Sequence, residues 1–206
     1  MVKFFLGCFF TLILFSSALA SEETEKACPG YLTDGTENTI QRAIRLIDRK
    51  RVPDTADYQA AIDTLTTYID STADICPFDL ASLYEIRAGY SLKLTPPDYE
   101  SAVADLEAVL DLDALFIDRE TKAGTTGSYI YYAYGFFEDA ERLMSKVFAL
   151  NATSERHNYF RLAAAMYAQG KFSEALEPAR KAVYEPVLSL RMHSLIYWIA
   201  YISNWE

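Results

Sequence analysis

The side chains able to do chemistry are few and scattered. His157 and His193 are the only histidines. Each falls on an expected helix with no Ser, Cys or Asp spaced to form a nucleophile–base–orienting triad. Gly124-Thr125-Thr126-Gly127 has two glycines but neither the lysine nor the preceding strand of a phosphate-binding loop. Asp111, Asp113 and Asp118 offer carboxylates, yet the central glycine and closing glutamate of a calcium loop are missing, so a solvated acidic helix end is the better reading. Asn151-Ala152-Thr153 is a glycosylation sequon, which matters only where the source glycosylates exported chains. The residues therefore point away from an enzyme, with no catalytic group, no metal site and no cofactor expected.

Two cysteines, Cys28 and Cys76, carry the remaining chemistry. Each precedes a proline and lies at an expected helix boundary, where a bridge fits without straining a helix. With no Cys-x-x-Cys and no clustered His, metal binding is a poor fit, and an even pair in an exported chain favours a disulfide. Export is read from residues 1–20. Lys3, an apolar run from Phe4 to Phe15, and the small residues of Ser16-Ser17-Ala18-Leu19-Ala20 form the three parts of a secretory signal, followed by polar Ser21-Glu22-Glu23. The same residues read as an uncleaved anchor would need a longer apolar run. Cleavage near Ala20 leaves a chain from Ser21 to Glu206 in the periplasm or outside the cell, beginning with an N-terminal segment over 21–35. That chain has 18 basic and 29 acidic side chains, since Lys3 is the only charge in the first twenty residues. An acidic balance of this size repels phosphate backbones and anionic lipid, which excludes nucleic acid and membrane surfaces as expected partners.

The elements that must position any site come from a repeat. Four segments share an aromatic, two residues, alanine, and then apolar residues at helical spacing: Tyr58 to Leu65, Tyr99 to Leu106, Phe137 to Met144 and Phe172 to Ala179. Their marker alanines, Ala61, Ala102, Ala140 and Ala175, step by 41, 38 and 35 residues. Thr95-Pro96-Pro97 and Val52-Pro53-Asp54 lengthen the turns and end the helices before them. Such a period identifies stacked helical hairpins. In the fourth unit the small and bulky positions are Tyr159, Ala163, Met166, Gly170, Phe172, Ala175 and Ala182. In the third they are Ser128, Tyr131, Gly135, Phe137, Ala140 and Val147, and in the second Tyr84, Ala88, Ser91, Tyr99, Ala102 and Val109. The first matches least, with Ala43 as its small residue.

On these residues the chain resembles the tetratricopeptide repeat (TPR) family from about Thr36 to Glu206. The resemblance implies an all-α fold, an α-solenoid of about four TPR-like helix-turn-helix repeats plus a C-terminal helix. The expected repeats are 36–70, 79–113, 121–150 and 154–185, with a terminal helix over 187–203. Helices that cross closely need a small residue at the contact, and the turn aromatic fills the gap to the next pair. Pro178 is expected to interrupt and bend the second helix of the last repeat.

The resemblance also implies a concave surface made by the first helix of each pair. Its outward positions here are Lys122, Thr125, Tyr129 and Tyr132, then His157, Phe160, Ala164 and Tyr167. Rigid amphipathic rings suit recognition of a protein or peptide segment. The competing reading is that these rings only pack the core. The expected function is an exported scaffold or adaptor. The alternatives are the N-terminal TPR region of a larger envelope protein, such as a TonB-like energy transducer, and a non-catalytic accessory domain of a cell-wall enzyme. The apolar run Leu195 to Ile202 around Trp198, where a solenoid usually carries a polar cap, motivates the first alternative.

Overall fold

A computed structural model of the chain describes residue 28 and residues 30–150 and 156–183. The expected signal segment, the sequon asparagine Asn151 and the expected terminal helix lie outside the described residues. Eight helices are described: α1 (Asp34–Asp48), α2 (Thr55–Ser71), α3 (Pro77–Ser91), α4 (Tyr99–Leu112), α5 (Ile117–Ala133), α6 (Phe137–Ala149), α7 (Arg156–Ala168) and α8 (Phe172–Val183). Each packs on the next in chain order, and α1 also meets α3 while α5 meets α7. Antiparallel pairs stacked so that alternate helices touch make an all-α solenoid of TPR-like repeats.

Local signals explain where the helices start and stop. Asp54 and Asp57 close a reciprocal capping box on α2, Pro77 opens α3 at its first turn, and the Asp98 carboxylate accepts from the Ser101 N–H of α4. The α5 helix starts at Ile117, four residues before the expected limit of the third repeat. Asp118 and Glu120 favour its N-terminal dipole, and the Glu120 carboxylate folds back to accept from the Leu115 N–H at 2.9 Å. Gly135 and Gly170, at φ 83° and 78°, make the left-handed turns that end the first helices of the third and fourth pairs. The α8 helix continues through Pro178, whose missing N–H leaves the Glu174 carbonyl without its helical donor.

The repeat register is visible in burial. All four marker alanines are fully buried, as is Ala43, and Ala88, Ser128 and Ala163 are within 2% of it. The core is correspondingly serial. One cluster joins α1, α2 and α3 around Leu65 and Leu83, and another joins α3, α4 and α5 around Leu106 and Val109. Met144, Val147 and Leu162 then join α6 to α7, and Ala163, Ala175 and Ala179 close α7 on α8. The turn aromatics do two different jobs. Tyr58 and Tyr99 reach the next repeat, packing on Tyr90 and Tyr134 at 6.1 and 4.9 Å between ring centres. Phe137 and Phe172 instead pack within their own repeats, on Tyr132 and Tyr167. This departs from the expectation that every turn aromatic bridges repeats. The position matching Tyr134 in the fourth repeat is Gln169, one residue before the turn glycine in each case. Its amide donates to the Phe137 carbonyl at 3.1 Å and to Glu141 at 2.6 Å, so hydrogen bonds replace the ring contact at that junction.

Cys28 and Cys76 are joined by a disulfide, with their Cα atoms 5.5 Å apart. Beside the bridge, buried Asp79 on α3 accepts from the Thr33 N–H, from the Thr33 hydroxyl and, at 2.9 Å, from the Thr36 hydroxyl. The chain entering α1 is thereby fixed to the start of α3 twice, covalently and by a buried carboxylate.

Candidate functional site

The expected concave residues fall on α5 and α7, a pair of first helices that pack side by side. They divide by burial. Tyr129 is 60% exposed and Tyr132 40%, and Lys122 and His157 are also exposed. Phe160 is partly buried. Thr125 and Ala164 are 7% and 5% exposed, and the Thr125 hydroxyl turns back to donate to the Lys122 carbonyl at 3.1 Å. Tyr167 is partly buried, lying against the Ala163–Ala175–Ala179 cluster with its ring edge-on to Phe172. The accessible part of this face is therefore Lys122, Tyr129, Tyr132 and His157. Thr125 and Ala164 form its floor, and Tyr167 belongs largely to the packing beneath.

Helical geometry splits the tyrosines of α5 and of its C-cap, Tyr134, between two sides. Residues 129 and 132 share one face, while 131 and 134 share another. On the second face the Tyr131 hydroxyl donates to Glu107 of α4 at 2.7 Å. Burial, reinforced by that carboxylate, pushes the phenol up to about 12. Tyr131 also meets Phe136 edge-on, and Phe136 is 58% exposed. These rings wall a hollow of about 760 Å³ whose floor is α4, notably Val103, Ala104 and Ala108. A second hollow, of about 420 Å³, lies between α2 and α4 and shares Ala104 with the first.

Ion pairs stiffen both sides. Arg142 of α6 reaches Glu107 at 2.6 Å, and Lys146 pairs with Asp111, so α6 is tied to α4 along one rim of the larger hollow. The pairing with Glu107 raises the Arg142 pKa further. Arg87 of α3 holds Asp105 of α4 with two hydrogen bonds, at 2.6 and 2.8 Å, and donates to Thr66 of α2 at 3.1 Å. Arg119 of α5 bridges to Glu85 and Ser82 of α3. Among the described residues no three His, Cys, Asp or Glu side chains come together to hold a metal ion. No helix among them is long and apolar enough to cross a membrane.

Sequence reasoning singled out the α5–α7 face and did not single out the α4 hollow. That hollow forms where the second helix of one repeat meets the end of the first helix of the next. A usable signal was present. Glu100, Ala104 and Ala108 recur every four residues on α4, with Glu107 and Asp111 alongside. Small residues flanked by acids on an outward helix face leave a trough with charged margins.

No family model matches the chain, and no curated protein does. Solved structures do resemble it. A double mutant of MamA RS-1 superposes with a TM-score of 0.59 at 16% identity, covering 84% of this chain and 88% of that one. MamA from residue 41 onward, from Desulfovibrio magneticus RS-1, gives 0.57 at 16% identity with the same coverage. Nearly identical TPR-like repeats of a kinesin light chain type from Podosopora anserina give 0.53 at 17% identity, covering 85% and 90%. The fold is thus a TPR-type solenoid.

Proposed function

We propose that the chain is an exported TPR-type scaffold that binds a protein or peptide segment through the α5–α7 face. The observation that carries this is the exposure of Tyr129 and Tyr132, two large rings one turn apart on a helix otherwise packed into the stack. The open area of such rigid rings adds little to stability and is well suited to burial against a partner at little entropy cost. The excess of acids over bases favours partner segments that carry basic residues at the rim. Export is supported by the signal-like residues 1–20 together with the Cys28–Cys76 bridge, which fits an oxidising compartment.

The test is affinity capture from the source cell's envelope fraction with the chain from Ser21 onward and with its Tyr129→Ala/Tyr132→Ala variant. Tyr129 is exposed and Tyr132 gives up only its edge-on contact with Phe137, so circular dichroism should be unchanged and stability should fall by about 0.5–1.5 kcal/mol. A partner retained by wild type and lost by the variant is the expected result. Identical capture by both would place the binding surface elsewhere. Tyr167→Ala is a poor probe, because it removes packing under α8 along with any contact it makes to a partner.

A further inference from the structure

We propose that the hollow between α4 and the end of α5 is a second docking site, which takes a polypeptide segment carrying a basic side chain next to a large apolar one. It goes beyond the α5–α7 reading, since it lies on the other side of α5 and uses none of the same residues.

The shape argues for a large apolar side chain. The floor is the alanine trough of Ala104 and Ala108, and the wall is Tyr134 and Phe136, 55% and 58% exposed. Rings this exposed around an open volume of about 760 Å³ leave room for a leucine, phenylalanine or tryptophan. They do not make a flat platform for sugar stacking, because the rings are canted against one another. Tyr134 is tilted 54° against Tyr99, and Phe136 stands at 77° to Tyr131.

The charge argues for a basic neighbour. Glu100, Glu107 and Asp111 line the hollow and no Lys or Arg does. Glu107 and Asp111 are met by Arg142 and Lys146, while Glu100 is exposed and is the carboxylate best placed for an incoming cation. The hollow beyond Ala104 continues in the same sign, with Asp63, Asp98 and Asp105 against Arg87 alone. An extended segment lying across α4 would therefore meet carboxylates on both sides of its apolar anchor. A second copy of this chain is a poor occupant, because each copy carries a net charge of −10.

A random heptapeptide display library selected on the wild-type chain, with counter-selection on Ala104→Trp, tests this. Ala104 is exposed, and the indole would fill the trough without entering the core. The Glu100→Lys variant reverses that exposed charge, and circular dichroism checks that both variants fold. Selected peptides should pair Lys or Arg with Trp, Phe or Leu. Their affinity should fall at least tenfold for Ala104→Trp and for Glu100→Lys, and stay unchanged for Tyr129→Ala/Tyr132→Ala. Failure to enrich over Ala104→Trp, enrichment of acidic or uncharged peptides, or indifference to Glu100→Lys would each overturn the proposal. Self-association in sedimentation that Ala104→Trp abolishes would also overturn it, in favour of a second copy. Loss of binding only in the tyrosine double variant would assign the peptides to the α5–α7 face instead.

Discussion

Three buried acids do more for this fold than their number suggests. Asp79 fastens the chain entering α1 to α3, as described above. Asp105 holds Arg87 with two hydrogen bonds while Arg87 also reaches Thr66, so one guanidinium connects three helices. Asp105→Ala would leave that cation partly buried and unpaired, at a cost of about 3 kcal/mol. Urea denaturation should show the loss, and Arg87→Leu in the same chain should recover part of it. Glu120 behaves differently. It is 1% exposed, and burial raises its pKa above the ordinary carboxylate value, with the Leu115 N–H only partly opposing. The folded chain therefore holds the proton more tightly than the unfolded one. Stability contributed by the neutral acid is present at low pH and declines as pH rises from the ordinary 4.5 through the raised folded value. Glu120→Gln keeps the acceptor for Leu115, so melting measured from pH 4 to 8 should become flatter than in wild type. None of these roles was legible in the sequence. The partners lie on other helices or across a helix start, and spacing along the chain says nothing about which buried acid finds a donor.

At the level of helices, the contacts that were legible are those made by small residues. Close crossing demands a short side chain, so spacing alone locates the four marker alanines, and each is fully buried. Ala175→Leu should overpack the α7–α8 contact by about 1–3 kcal/mol, and an unchanged melting curve would contradict the register. Less legible were the glycines of α5, which the sequence offered only as a poor phosphate loop. A Cβ on Gly127 would lie 2.8 Å from Leu143 Cδ1, and one on Gly124 would press on Val147 and Leu110. These glycines let α5 and α6 approach closely. Gly124→Ala should destabilise by about 1–2 kcal/mol despite the better helix propensity of alanine. Val147→Ala should cost less in that background than in wild type, and a double-mutant cycle would reveal the coupling.

For the whole molecule, the serial core means that stability is passed from one repeat to its neighbour. The sequence showed this architecture because the period is a local property repeated four times. It did not show the hollow beside α4, because that space exists only where two repeats meet and depends on how Tyr99 and Tyr134 settle against each other. The α5–α7 face was found only in part. Helical spacing gives the side a residue occupies, while its exposure depends on the neighbouring helix, which covers Thr125 and Ala164 and leaves Tyr129 open. Reducing the Cys28–Cys76 bridge should lower stability by about 2–4 kcal/mol and loosen the first repeat before the others. Hydrogen exchange in α1 and α2, compared with and without reductant, is the direct measurement.

The bridge has a mechanical consequence as well. Its 48-residue span encloses both α1 and α2, so tension applied to the N-terminus passes from Cys28 straight into Cys76 and the start of α3. The first repeat lies off the line of force. Stretched between its ends, the oxidised chain would extend about 160 Å less than the reduced one, at roughly 3.3–3.6 Å per residue. The pulled end of the stack is then its second repeat, and the first is shielded from unravelling under load.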